Sequence, residues 1–179
     1  MPKEPMRSKL RTIIYDVAEV EESPKFEPHM TIISIDPPET MPKLSDTLAP
    51  IVQRYKDLNL QFDPLFIGSS YFISVALLLR KEPSLLAFQQ EILDALPSVT
   101  GKSIPPKEYF PHISLYYGDS SAEERERIAS FIRSKGVASD HTETTVDGAS
   151  RCIPEEIWVV ETVGKADDWK VVEVIKLEQ

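Results

Sequence analysis

The sequence predicts an α+β fold in which antiparallel sheets carry helices on one side, and two observations predict it. β-branched runs and amphipathic segments follow one another as strand, helix, hairpin, helix, strand, helix, strands, a segregation of elements typical of that class. Two pairs of runs are also separated only by short polar segments, and such short connections join antiparallel neighbours.

Leu10, Ile13, Ile14 and Val17 have helical spacing and predict a helix over 8–21, although Thr12 to Tyr15 would also serve a strand. The acidic stretch EESPKFEP leads into HMTIISI, whose β-branched residues predict a strand ending at Asp36, Pro37 and Pro38. A helix over 45–58 places Leu48, Ile51, Val52 and Tyr55 on one side, with Pro50 near its start. QFDPLFIG and YFISVALLL, divided by Gly68, Ser69 and Ser70, read as a hairpin whose apolar second arm is central. Ser84 to Leu96 reads as a helix ended by Pro97, and 97–107 as a loop before a second histidine strand, YFPHISLYYG. Ser121 with Glu124 spells a capping box, Ile128, Phe131 and Ile132 form an apolar stripe, and Gly136 supplies a stop. A short strand is expected near 143–146. IWVVETV, the turn GKADD and WKVVEVIKL then close the chain as a hairpin.

The length of 179 residues fits one domain or two small lobes around a shared cleft. With 29 acidic against 20 basic residues the net charge is -9, and such a field repels a long polyanion while a local cleft still holds one phosphate. No long nucleic acid is therefore expected as a partner. Cys152 is the only cysteine, so neither an internal disulfide nor a multi-cysteine metal cage is available. No apolar run is long enough to span a membrane, and MPKEPMRSKL lacks the apolar core of a secretory signal. A soluble, cytoplasmic protein is the expectation.

Chemistry concentrates in two matching segments. Phe26, Glu27, Pro28, His29, Met30 and Thr31 follow the pattern aromatic, x, Pro, His, apolar, hydroxyl, and Tyr109, Phe110, Pro111, His112, Ile113 and Ser114 repeat it, with a one-residue slip if Phe110 is taken as the aromatic. A spacing of two on a strand turns each histidine and its hydroxyl residue to one face. Side by side, the two strands would aim four polar groups at one cleft: one imidazole to take a proton from water, the other to protonate a leaving oxygen, and Thr31 and Ser114 to hold nonbridging phosphate oxygens. A lone strand histidine is more often a structural residue, but two of only three histidines share this context. Zinc held by both histidines with Asp36 or Asp119 is the weaker alternative, because neither carboxylate has a compelling spacing.

At these residues the chain resembles the 2H phosphoesterase superfamily, and most of all its fungal and plant cyclic nucleotide phosphodiesterase branch. PKFEPHMTI, YFPHISLYYG, the helix SAEERERIASFIRSKG and the tail IWVVETVGKADDWKVVEVIKL carry the resemblance. The expected organisation is a single domain over 1–179 with residues 1–7 disordered; the resemblance covers residues 8–177 and implies a bilobal fold with two antiparallel sheets around a central cleft and helices on the outer faces. It implies a metal- and cofactor-independent enzyme opening nucleoside 2',3'-cyclic phosphates to 2'-phosphates and ADP-ribose 1'',2''-cyclic phosphate to the 1''-phosphate. His29 and His112 are the implied catalytic residues, with Thr31, Ser114 and Tyr117 at the phosphate and Tyr71 and Phe72 near the base. Alternation places Tyr117 opposite Ser114, so a bulge or strand end must bring it round. Near symmetry leaves the roles open, leaning to His112 as base and His29 as acid. An enzyme acting on RNA ends is the alternative, and a Golgi association of fungal relatives qualifies the compartment. Relatives begin with a short strand that MPKEPMRSKL does not match, so the expected monomer carries an unpaired edge open to a dimer.

Overall fold

The computed structural model describes residues 1–36, 42–105 and 107–177. Among the described residues four α-helices and eight strands form an α+β fold whose sheets are antiparallel. Helix α1 (Met6–Glu21) buries Leu10, Ile13, Ile14, Val17 and Ala18, and it stops where Glu22 turns left-handed at φ 49°. Strands β1 (Leu60–Ser70), β2 (Ile73–Leu79), β3 (His112–Tyr116) and β6 (Arg151–Cys152) make a sheet in the order β3-β2-β1-β6. Val75, Leu77, Ile113 and Leu115 are completely buried, and α1 and α4 (Ala122–Ser134) pack against this sheet. Strands β7 (Glu156–Glu161) and β8 (Lys170–Lys176) form a separate hairpin against which α2 (Ser45–Arg54) packs, and α2 in turn meets α3 (Pro83–Thr100).

Five local expectations are corrected. HMTIISI has strand composition but no ladder: among the described residues it meets β3 through one isolated bridge, Met30 to Ile113. Propensity expresses itself only where a partner edge runs alongside, and here that edge is five residues long. The turn between β1 and β2 lies at Tyr71 and Phe72, with Gly68 inside β1 at an irregular register. A Cβ at Gly68 would overlap the Ile73 carbonyl, so this glycine permits a close backbone approach and not a turn. Pro97 does not end α3, because a proline in the last turn forfeits only the bond to Leu93. The helix runs to Thr100, and Gly101 ends it at φ 67°. Helix α2 stops at Arg54, and 137–152 holds three short strands: β4 (Val137–Ser139), β5 (Thr144–Val146) and β6.

The chain start, expected to be disordered and to leave an edge bare, lies beside the connection from β6 to β7. The Lys3 amide donates to the Ile153 carbonyl at 2.8 Å and the Glu155 amide to the Met1 carbonyl at 2.9 Å, around a Pro2 to Pro154 bridge. In the second group of elements, Glu173 of β8 supplies the cap that α2 lacks in its own sequence. Its two carboxylate oxygens accept the Leu44 and Ser45 amides, each at 2.8 Å. Burial pushes the Glu173 pKa up, but these bonds outweigh it and hold the carboxyl below its ordinary value.

Helix α4 starts at the Ser121 and Glu124 capping box and sends Arg125 inward. Buried Arg125 donates from Nε to Ser74 Oγ at 2.8 Å, and Ser74 donates to the Gly118 carbonyl at 2.7 Å. This relay pins the backbone just beyond β3. Arg125→Met removes a charge-assisted bond and leaves Ser74 short of a partner, so urea unfolding is expected to show a loss of about 2 kcal/mol. An unchanged midpoint would contradict that role.

Candidate active site

The Met30 to Ile113 bridge sets the local register of the two histidine segments. In an antiparallel pair one step either way places His29 opposite Ser114 and Thr31 opposite His112. In a regular ladder directly opposed residues share a face; the isolated bridge itself brings the two histidine segments side by side, antiparallel, at Met30 and Ile113. Each imidazole is held alike: His29 Nδ1 lies 2.7 Å from the Glu27 carbonyl, and His112 Nδ1 lies 2.7 Å from the Phe110 carbonyl. A carbonyl only accepts, so each Nδ1 carries the proton and each Nε2 is left for a ligand.

The aromatics brace this arrangement from both sides. Phe26, three residues before His29, stacks on Tyr117 beyond the second motif at 4.0 Å and 16°. Tyr109, three residues before His112, reaches Met30 of the first motif, its hydroxyl 3.5 Å from Sδ. The repeat therefore needs no slip: Tyr109, not Phe110, is the counterpart of Phe26, and each aromatic crosses to the opposite motif.

The two hydroxyl residues differ. Thr31 is exposed, with no bond from its hydroxyl to a described residue, whereas Ser114 is buried and donates to the Phe72 carbonyl at 2.8 Å. Tyr117 comes round because β3 ends at Tyr116 and its pairing with β2 shifts register between Val75 and Ala76. Burial pushes the Tyr117 phenol up to about 12, so it remains a neutral hydroxyl. The Ser114 side chain works against this upward shift.

Tyr71 and Phe72 sit at the hairpin turn with their rings 5.0 Å apart, and Phe72 is 50% exposed. Trp169, from the turn before β8, was not anticipated by the motifs. Its ring lies 5.9 Å from Phe72 and 6.3 Å from His29, and its buried Nε1–H lacks a partner among the described residues. The bulky tryptophan in WKVVEVIKL was the available signal, but only folding shows that it closes on His29. Neither Asp36 nor Asp119 joins the histidines: among the described residues no group of three or more His, Cys, Asp or Glu side chains is arranged to hold a metal ion.

His29 has its pKa lowered, first by burial. The bond to the Glu27 carbonyl works against this, while the charges of the N-terminal amine and of His112 add to the lowering. His29 is thus biased to the neutral imidazole.

The family model described as cyclic phosphodiesterase-like protein matches residues 1–177. A search of curated proteins finds no match. No helix among the described residues is long and apolar enough to cross a membrane.

The lowered pKa has a definite sign in stability. The unfolded chain takes up the His29 proton near its ordinary pKa of about 6.5, and the folded chain only at lower pH. This contribution to stability is complete above that value and is lost as pH falls through the folded pKa. An NMR titration of His29 is expected to place its midpoint below the ordinary value; a midpoint above it would overturn the electrostatic account.

Proposed function

We propose that this chain, which belongs to the cyclic phosphodiesterase-like protein family, opens nucleoside 2',3'-cyclic phosphates to 2'-phosphates and ADP-ribose 1'',2''-cyclic phosphate to the 1''-phosphate. Membership supports cyclic phosphodiesterase activity in general. The observation that carries the finer reading is the pairing of the two motifs through the Met30 to Ile113 bridge, with both Nδ1 atoms tied to carbonyls.

Opening the ring requires water to approach phosphorus in line with the departing O3'. His29, biased to the neutral form, accepts the water proton at Nε2 as the new P–O bond forms. His112 donates from Nε2 to O3' as the old bond breaks. This reverses the assignment suggested by the symmetric motifs, and the support for the reversal is the burial of His29. No metal step is needed in this scheme. The exposed Thr31 hydroxyl meets one nonbridging oxygen, and Ser114 serves the other by turning from the Phe72 carbonyl, with the neutral Tyr117 phenol behind it. The Phe72 ring, beside Tyr71 and Trp169, is the surface on which the substrate's base stacks. An enzyme acting on the end of a long RNA is supported less well, because the net charge of -9 opposes a polyanion.

His29→Ala and His112→Ala are each expected to lose at least about a hundredfold in kcat on a cyclic mononucleotide. Thr31→Ala and Ser114→Ala should lose less, since each removes one phosphate contact. A phosphodiester with a low-pKa leaving group separates the roles: it should partly rescue His112→Ala and leave His29→Ala inactive. Rescue of His29→Ala alone would restore the opposite assignment, and wild-type turnover by either variant would remove that histidine from the mechanism.

A further inference from the structure

The two histidines are anchored by unequal means. His112 lies in β3, which pairs along β2, and the Leu79 amide donates to the Pro111 carbonyl at 3.0 Å. The segment carrying His29 has only the Met30 to Ile113 bridge among the described residues, yet the Glu27 carbonyl has to stay in place to hold His29 Nδ1 at 2.7 Å. A stretch with one bridge opens easily unless side chains tether it.

Helix α1 supplies the tether. Arg7 and Arg11, one turn apart on α1, each take one carboxylate oxygen of Glu27: Arg7 Nε donates to Oε2 at 3.3 Å, and Arg11 donates to Oε1 at 3.4 Å. Arg7 is braced in turn from β7. Its guanidinium donates to Glu156 Oε2 at 3.4 Å and lies over the Trp158 ring at 5.1 Å, and Trp158 Nε1 donates to the same Glu156 oxygen at 2.9 Å. Arg7, Glu27 and Glu156 are all largely covered, so they differ from the mobile surface pairs that hold nothing in place. The residue in the corresponding place before His112 is the uncharged Phe110.

Charge matters here as much as position. A bare carboxylate two residues before His29 would favour the imidazolium. Besides Glu27, the N-terminal amine and His112 of β3 face His29, and both favour its neutral form. The turn that carries Trp169 brings Asp167 and Asp168, which accept the Lys25 and Lys165 amides at 3.1 Å and 3.2 Å.

We propose that Arg7 and Arg11 are positioning residues for His29: by holding the Glu27 carboxylate they fix the carbonyl that orients the imidazole, and they cancel the adjacent negative charge that would otherwise draw a proton onto it. The proposal rests on the cyclic phosphodiesterase reading in which His29 accepts the water proton.

The test separates charge from packing. Methionine in place of either arginine keeps an apolar stem and removes the charge. In Arg7→Met and in Arg11→Met the NMR titration midpoint of His29 is expected to rise by about half a pH unit, the order of one screened charge. The acid limb of kcat/KM on adenosine 2',3'-cyclic phosphate should move with it, kcat falling severalfold while KM holds. Glu27→Gln should lower the midpoint, and adding it to Arg7→Met should return the midpoint to the wild-type value. Arg7→Lys keeps the charge and should keep the midpoint. Unmoved midpoints in both methionine variants, or a rise that Arg7→Lys shares or Glu27→Gln fails to reverse, would overturn the proposal and reduce the cluster to packing. If the wild type turns over no substrate, the catalytic reading fails separately, and the midpoints still decide whether the arginines govern His29.

Discussion

The contact between Met30 and Ile113 is one antiparallel bridge with no ladder around it, yet the site depends on it. Without that register His29 and Thr31 would belong to an extended segment unrelated to β3, and neither would oppose His112 or Ser114. A one-residue slip would turn His29 and Thr31 away from the second motif, because side chains alternate with a period of two. One bridge is a weak determinant alone, so the rings that cross it matter. Phe26 stacks on Tyr117, and Tyr109 closes on Met30. Each motif thereby clamps the other from three residues upstream of its histidine.

The two halves are alike in geometry and unlike in environment. Both imidazoles have Nδ1 on the carbonyl two residues back, which fixes ring orientation and tautomer by backbone alone. His29 then receives the Phe26 and Trp169 rings at 6.3 Å each, and burial lowers its pKa. The site thus acquires an asymmetry that the near-identical motifs do not contain. Two chemically equal groups become suited to opposite proton transfers when their surroundings differ. The same packing accounts for Tyr117, whose phenol stays neutral beside Ser114 because the surrounding rings exclude water.

Much of this was legible in the residues. The capping box of α4 and the spacing of His29 with Thr31 and of His112 with Ser114 are local signals, and local signals survive into the fold. HMTIISI failed as a strand because strand formation needs an edge, which composition does not reveal. Gly68 was misread as a turn because glycine serves both turns and close backbone approaches, and only the Ile73 carbonyl distinguishes them. Trp169, the Glu173 cap of α2 and the Arg125 relay were illegible for a shared reason: each joins residues far apart in the chain, and no periodicity encodes such a meeting.

The account rests on two histidines opening a cyclic ester by proton transfer alone. It is tested most directly by incubating purified protein with adenosine 2',3'-cyclic phosphate and excess chelator, following the phosphorus by NMR and identifying the product. A single product, adenosine 2'-phosphate, formed at a rate the chelator does not change, is the predicted result. No turnover, turnover that needs added metal, or the 3'-phosphate as product would contradict it.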